Sequence, residues 1–285
     1  SSLVTPLADG DVQRFLMTGA GEVFAASGLG LVKWDGAAWN TVASVSTTDG
    51  GTQALSMLEV GGVVYAAVEG AGVLRYDTNT GAALSTWSSA NNLHSDRITH
   101  MITSGNQLLL GSPDNGLARF DVAAGFWLST WNSGNWLASD VVAGLARVGP
   151  SLFILSGDSL HTYNTTNGVF ATTYNLATLG LANDGASLLH WSATGGASPS
   201  VDALLVDDGS GNLIHLSPNQ SPFIEGNIRL ASAPSTDDMT ALAEMDNILY
   251  VGTGDNSMEV LRYDIGASAW LTPWSVNDNV VDMVV

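Results

Sequence analysis

The residues able to do chemistry recur in fixed places. A cation, an aromatic and an aspartate stand consecutively in Lys33-Trp34-Asp35, Arg75-Tyr76-Asp77, Arg119-Phe120-Asp121 and Arg262-Tyr263-Asp264. Only one lysine and seven arginines exist in 285 residues, so half of all the cations occupy this one register. A ring of such cations would suit an anionic ligand. The structural alternative, which we favour, places Lys33, Arg75, Arg119 and Arg262 between neighbouring repeat units, each paired with an aspartate. Asp35, Asp77, Asp121 and Asp264 read as turn residues that accept local backbone N–H bonds.

Two further sets carry chemical potential. Ser95-Asp96, Ser139-Asp140 and Asp237-Asp238 stand at the starts of equivalent apolar segments. Convergence of Asp96, Asp140 and Asp238 would offer hard oxygen ligands to Ca²⁺, although no EF-hand spacing is present. Trp87, Trp131 and Trp274 each lie ten residues beyond the aspartate of the phrase, and Trp127 and Trp270 lie six beyond it. Strand alternation puts the six- and ten-residue positions on one face, as packing wedges between units. Trp39, Trp136 and Trp191 fall outside that register and are the candidates for a ligand surface, with Asp96 and Asp140 beside them.

No nucleophile motif accompanies these residues. Cysteine is absent, which excludes disulfides, thiolate metal sites and cysteine nucleophiles. The five histidines are scattered outside any H-E-x-x-H or G-x-S-x-G context. The 27 acidic residues against 8 basic ones give a formal charge of −19, which opposes nucleic-acid binding. No apolar run reaches the roughly 18 residues of a membrane-spanning helix. The sequence opens Ser1-Ser2-Leu3 without a basic leader, and reads as a processed or excised chain of an exported protein.

The elements that must position these residues follow from repetition. Two degenerate copies, Leu160-His161-Thr162-Tyr163-Asn164 and Leu213-Ile214-His215-Leu216-Ser217, fill the gap between the third and last copies of the phrase. Its fourth positions are spaced by 42, 44, 43, 53 and 47 residues. Each unit opens with an alternating segment and continues, after a Gly or Asn turn, with a second apolar segment. The phrase itself comes third and an aromatic segment fourth. A period of 40 to 50 residues with four short strands predicts an all-β chain, a β-propeller of four-stranded antiparallel blades.

Six phrase copies favour six blades within one domain, 1–285. The units run over roughly 11–50, 51–94, 95–138, 139–176, 177–234 and 235–276. The segment 277–285 repeats the start of a first strand, as Asn277-Asp278-Asn279-Val280 set beside Ser95-Asp96-Arg97-Ile98 shows. That segment allows closure by the tail, a seventh or partial blade, or strand exchange between chains. The fifth unit departs from the pattern through an insertion near Ala193–Ser200.

The phrase G-L-x-R-[YF]-D, together with Leu249-Tyr250-Val251-Gly252-Thr253, resembles the two-component-regulator propeller repeats. The turn Asp77-Thr78-Asn79-Thr80-Gly81 followed by Trp87 is similar to the quinoprotein-type repeat. The resemblance implies a propeller and an extracytoplasmic sensor or interaction role. The expectation is therefore a non-catalytic, extracellular, cell-surface or periplasmic module for a protein, glycan or small ligand, with no cofactor beyond a candidate Ca²⁺. A carbohydrate-active hydrolase or lyase using the strand-start acids, and a ligand-free segment of a longer array, are the alternatives.

Overall fold

The computed structural model describes residues 12–45 and 53–179 continuously. Beyond these it describes the later strands, Ala267 and Val276. Its chain contacts divide it into two compact units, Ser1–Val142 and Ala143–Val285.

The first unit holds three sheets. β1 (Arg14–Met17), β2 (Val23–Ser27), β3 (Gly30–Trp34) and β4 (Trp39–Ser44) form the first. The second comprises β5 (Ala54–Val60), β6 (Val63–Val68), β7 (Gly72–Asp77) and β8 (Ala82–Trp87). The third comprises β9 (His100–Ser104), β10 (Gln107–Gly111), β11 (Leu117–Asp121) and β12 (Phe126–Trp131).

The second unit repeats the arrangement. Its first sheet is β13 (Val142–Val148), β14 (Ser151–Ser156), β15 (Ser159–Asn164) and β16 (Val169–Asn175). The next is β17 (Ser187–Ser192), β18 (Asp202–Asp207), β19 (Asn212–Leu216) and β20 (Ile224–Arg229). The last is β21 (Met239–Met245), β22 (Ile248–Thr253), β23 (Glu259–Asp264) and β24 (Ala269–Ser275). Every sheet is a meander in which sequence neighbours pair antiparallel, so the four-stranded antiparallel pattern holds throughout the described residues. The segment 193–201, where the insertion falls, and the tail 277–285 lie outside the described residues, as does Asp238.

Why these strands pair in this way is visible in the turns. Gly72 and Gly116 open β7 and the phrase strand β11 at φ of +85° and +81°. A Cβ at either position would lie 2.1–2.2 Å from the carbonyl oxygen of Trp87 or Trp131 on the fourth strand. Only glycine admits both the left-handed backbone and that approach. The residue after the phrase aromatic closes the opposite hairpin. Asp77 Oδ1 accepts from the N–H groups of Asn79 and Thr80 at 2.8 and 3.2 Å. Asn164 does the same with Thr166 and Asn167 at 2.9 and 3.2 Å.

Second strands are the most buried. Ala66, Ala67 and Val68 in β6, and Leu108 and Leu110 in β10, are fully enclosed. Sheets stack face to face. Phe24, Leu31, Val64, Ala66, Leu74 and Tyr76 form the apolar layer between the first and second sheets. Tyr65, Val73, Trp87, Leu108, Leu110 and Ala118 form the layer between the second and third. In the second unit, Phe153, Leu155 and Leu160 pack with Leu188 of the following sheet. A Cβ at Gly144 would stand 2.5 Å from that of Leu188, so this glycine permits the close approach of β13 and β17.

One expectation about the fourth strand is overturned. Trp127 and Trp131 do not share a face. Trp127 pairs with Phe120, Trp131 pairs with Leu117, and the register shifts between Leu117 and Arg119. The same irregularity lies between Val73 and Arg75, and between Val260 and Arg262. An extra residue in the fourth strand inverts the alternation. Trp127 therefore joins Phe120 on one face, while Trp131 joins Arg119 on the other.

Candidate functional site

The bulge gives the recurrent cations their partners. Arg75 Nε donates to the Ser85 carbonyl and Nη2 to Ser85 Oγ, both at 2.9 Å. Arg119 makes the same pair of bonds to Ser129, again at 2.9 Å. Arg262 donates twice to the Thr272 carbonyl, at 3.1 and 2.7 Å. The guanidinium carbons then lie 4.3, 4.2 and 4.5 Å from the ring centres of Trp87, Trp131 and Trp274. The aspartate pairing expected for these arginines is replaced by a fork onto the bulged fourth strand of the same sheet. The physical reason is reach: the bulge turns a carbonyl and a hydroxyl toward the arginine, and the following Asp is occupied by its own turn. Lys33 lacks the fork and instead pairs with Glu22, lying 5.7 Å from the ring of Phe24 and 5.9 Å from that of Tyr76. The hydrogen bond that Lys33 Nζ donates to the Glu22 carboxylate raises the lysine pKa. Burial lowers that of Arg75.

Aspartates of the phrase are held locally. Asp35 Oδ1 accepts from Ala37 and Ala38 at 2.8 Å, Asp121 from Ala124 at 2.9 Å, and Asp264 from Ala267 at 2.8 Å. The N–H groups of Ala38 and Ala37 depress the Asp35 carboxyl below its ordinary range, and that of Thr80 does so for Asp77. These residues are turn closures.

The connectors that leave β8 and β12 are the features that the sequence reading missed. Trp87-Ser88-Ser89-Ala90-Asn91-Asn92-Leu93-His94-Ser95-Asp96 and Trp131-Asn132-Ser133-Gly134-Asn135-Trp136-Leu137-Ala138-Ser139-Asp140 align residue for residue. Their bonds repeat as well. Asn91 Oδ1 accepts from Ser88 N–H at 2.7 Å and its amide donates to the Thr86 carbonyl at 2.7 Å. Asn135 does so with Asn132 and Thr130, both at 2.9 Å. Leu93 and Leu137 are buried beneath the loops.

Asp96 and Asp140 lock these connectors. Asp96 Oδ1 accepts from Ser89 N–H at 2.6 Å, and its other oxygen takes the Ser89 hydroxyl. Asp140 Oδ1 accepts from Ser133 N–H at 2.8 Å. Their backbone carbonyls receive Gly70, Gly72 and Gly116 N–H at 3.1, 3.2 and 2.7 Å, which ties each connector to the turn between the second and third strands of the preceding sheet. Each of these two carboxylates thus serves its own loop; Asp238, the third candidate for a cation site, lies outside the described residues. Among the described residues no three His, Asp or Glu side chains gather as a metal site. The Ser133 N–H holds the Asp140 carboxyl below its usual range, the reverse of what a general acid at neutral pH requires.

The three unaligned tryptophans separate. Trp39 opens β4 and lies 5.4 Å from Trp34 and 6.3 Å from Phe15, part of a half-buried aromatic cluster. Trp136 stands on the connector after β12 and is 57% exposed. In an antiparallel meander those positions belong to opposite ends of the sheets. Trp191 lies in β17 of the second unit. The connector end of the first unit also holds a cavity of about 230 Å³, lined by Ser44, Gly70, Thr86, Ser89, Asn91 and Asp96 among others. Leu29 and Val141 are exposed at turns on that same end.

No helix among the described residues is long and apolar enough to cross a membrane. No protein-family model matches the sequence, and no curated protein matches it. Solved structures do match. The extracellular domain of the B. thetaiotaomicron hybrid two-component system BT4673 aligns with a TM-score of 0.67 at 16% identity over 96% of this chain. That of BT3049 from the same organism aligns at 0.66 and 17% over 95%. This chain spans 36% of the length of each, and both are β-propellers. The computationally designed protein Ika8 aligns at 0.55 and 12% identity, over 97% of this chain and 92% of its own. At these identities the likeness concerns the fold, and the fold it supports is the β-propeller.

Proposed function

We propose that the chain is a non-catalytic β-propeller binding module of an exported or cell-surface protein. Its six sheets are six successive blades, and its ligand is a neutral glycan held at the connector end. The observation that carries this reading is Trp136. It is 57% exposed on a connector fixed by the Asp140–Ser133 and Asn135–Thr130 bonds. Rigid aromatic platforms flanked by fixed polar groups suit sugar rings, and ordering costs are small when the loop is already set. The polar cavity beside Asp96 lies at the same end of the sheets and supplies hydroxyl and amide groups. The acidic charge disfavours phosphate-bearing partners. The exported setting is supported by neighbours that are themselves extracellular domains.

A panel of neutral oligosaccharides on an array, followed by calorimetric titration of the best binder, tests this. Trp136→Ala should weaken binding at least roughly tenfold, the loss of about 1.4 kcal/mol, and leave the melting temperature unchanged. Incubation should return the oligosaccharide intact. Retention of no glycan, or binding indifferent to Trp136→Ala, contradicts the reading.

A further inference from the structure

The cavity of about 230 Å³ lies where the end of β4 meets the connector that leaves β8. Ser44, Ala71, Thr86, Ser89 and Asp96 contribute to its walls. The turn before β7 explains why the space exists. Gly72 and Gly116 are equivalent, each set against the carbonyl oxygen of a fourth-strand tryptophan. The two residues before them are Gly70-Ala71 in the second sheet and Asp114-Asn115 in the third. Where the third sheet carries two polar side chains, the second carries one methyl group, and the space stays open. Its polar groups are set in advance. Thr86 stands in the bulge opposite Leu74, which packs toward the first sheet, and both line the cavity. Asp96 accepts from Ser89 with both carboxylate oxygens, and each oxygen keeps a further lone pair. This connector is also tied to the one that bears Trp136. His94 Nε2 donates to the Gly116 carbonyl at 3.2 Å, and the Gly116 N–H donates to the Asp140 carbonyl at 2.7 Å.

We propose that this cavity is the specificity subsite of the module: it encloses one neutral sugar residue of the glycan, while Trp136 takes another. The inference rests on the glycan reading given above and adds to it the residues that select the sugar. The volume falls below the roughly 300–1,000 Å³ of pockets that enclose a whole small ligand, and suits a single ring with its hydroxyl groups. Thr86 and Asp96 take those hydroxyl groups in place of water. The Asp96 carboxylate repels a sugar that is itself a carboxylate, so acidic residues are rejected. Gly70 and Ala71 admit the ring, and a larger side chain in that turn closes the subsite.

The test titrates the 285-residue chain calorimetrically with neutral tetrasaccharides of glucose, galactose and mannose. The best binder is then compared with the same compound after oxidation of its primary hydroxyl groups to carboxylates. Thr86→Val, an isosteric loss of one hydroxyl, should weaken the neutral tetrasaccharide roughly three- to tenfold. Its melting temperature should stay within about 2 °C of the parent's. Ala71→Leu, which fills the cavity, should weaken binding at least roughly tenfold, and the oxidised compound should bind at least roughly tenfold more weakly than the neutral one. Binding that falls with Trp136→Ala but is indifferent to Thr86→Val and Ala71→Leu overturns the subsite and leaves the glycan reading standing. An oxidised tetrasaccharide that binds as tightly as the neutral one also overturns it. Absence of binding by all three tetrasaccharides overturns this inference, and absence across the whole array overturns the glycan reading as well. Thr86→Val decides the matter even where Ala71→Leu fails to fold.

Discussion

The guanidinium carbon of Arg75 lies 4.3 Å from the ring centre of Trp87, and two hydrogen bonds to Ser85 hold it there. The arginine supports the wedge from behind while Phe120 and Trp127 meet it from the front. One residue therefore couples a hydrogen-bonded hairpin to the packing of the next sheet.

Arginine is needed at that position for its planar fork. Arg75→Lys retains charge but loses the paired donors and the stacking surface. We expect a loss of about 1–2 kcal/mol in denaturant unfolding, with Arg119→Lys behaving alike.

The strand-opening glycines give a steric prediction. Alanine at Gly116 would place Cβ 2.2 Å from the Trp131 carbonyl oxygen, on a backbone at φ +81°. Strain alone is about 1–3 kcal/mol, and the clash adds to it. Gly105 has a similar positive φ but open space around it. Gly105→Ala should therefore be much the milder of the two in thermal melts.

Partly buried histidines set the acid response. Burial lowers the His100 pKa to about 4, with Arg14 acting in the same direction, and burial also lowers that of His94. The unfolded chain takes up these protons near pH 6.5, before the folded one does. Stability is then complete above about pH 6.5 and declines as pH falls toward 4, by up to about 3 kcal/mol for His100. His100→Gln should flatten that part of the stability–pH curve measured by urea unfolding.

The connector carboxylates give a local prediction. With Asp140 replaced by alanine, the Ser133 N–H loses its acceptor. Hydrogen exchange at Ser133 should accelerate while the amides of β10 and β11 keep their protection. Equal acceleration throughout the sheet would show that the aspartate supports more than its loop.

The spacing of the cation–aromatic–aspartate phrase made the four-stranded units legible, because period and turn chemistry are local properties. The arginine partners were not legible. They depend on a bulge in the fourth strand, and one inserted residue reverses every side chain beyond it. Period-two counting therefore put Trp127 and Trp131 together when they face apart. The connectors were legible in principle, since Asn91 and Asn135 recur with Leu93 and Leu137 at the 44-residue offset. Trp136 stood out because it breaks the repeat, occupying the place of Asn92, whose φ is +78°. Trp39 broke the tryptophan register too, yet it serves the aromatic cluster with Trp34.

The central claim is that the second and third sheets are joined by a tryptophan wedge, Trp87. A double-mutant cycle on Trp87 and Trp127, whose rings meet at 4.8 Å and 60°, tests it directly. With Trp87→Leu, Trp127→Leu and the double variant, the account predicts a coupling of about 0.5–1.5 kcal/mol. Strictly additive losses would contradict it.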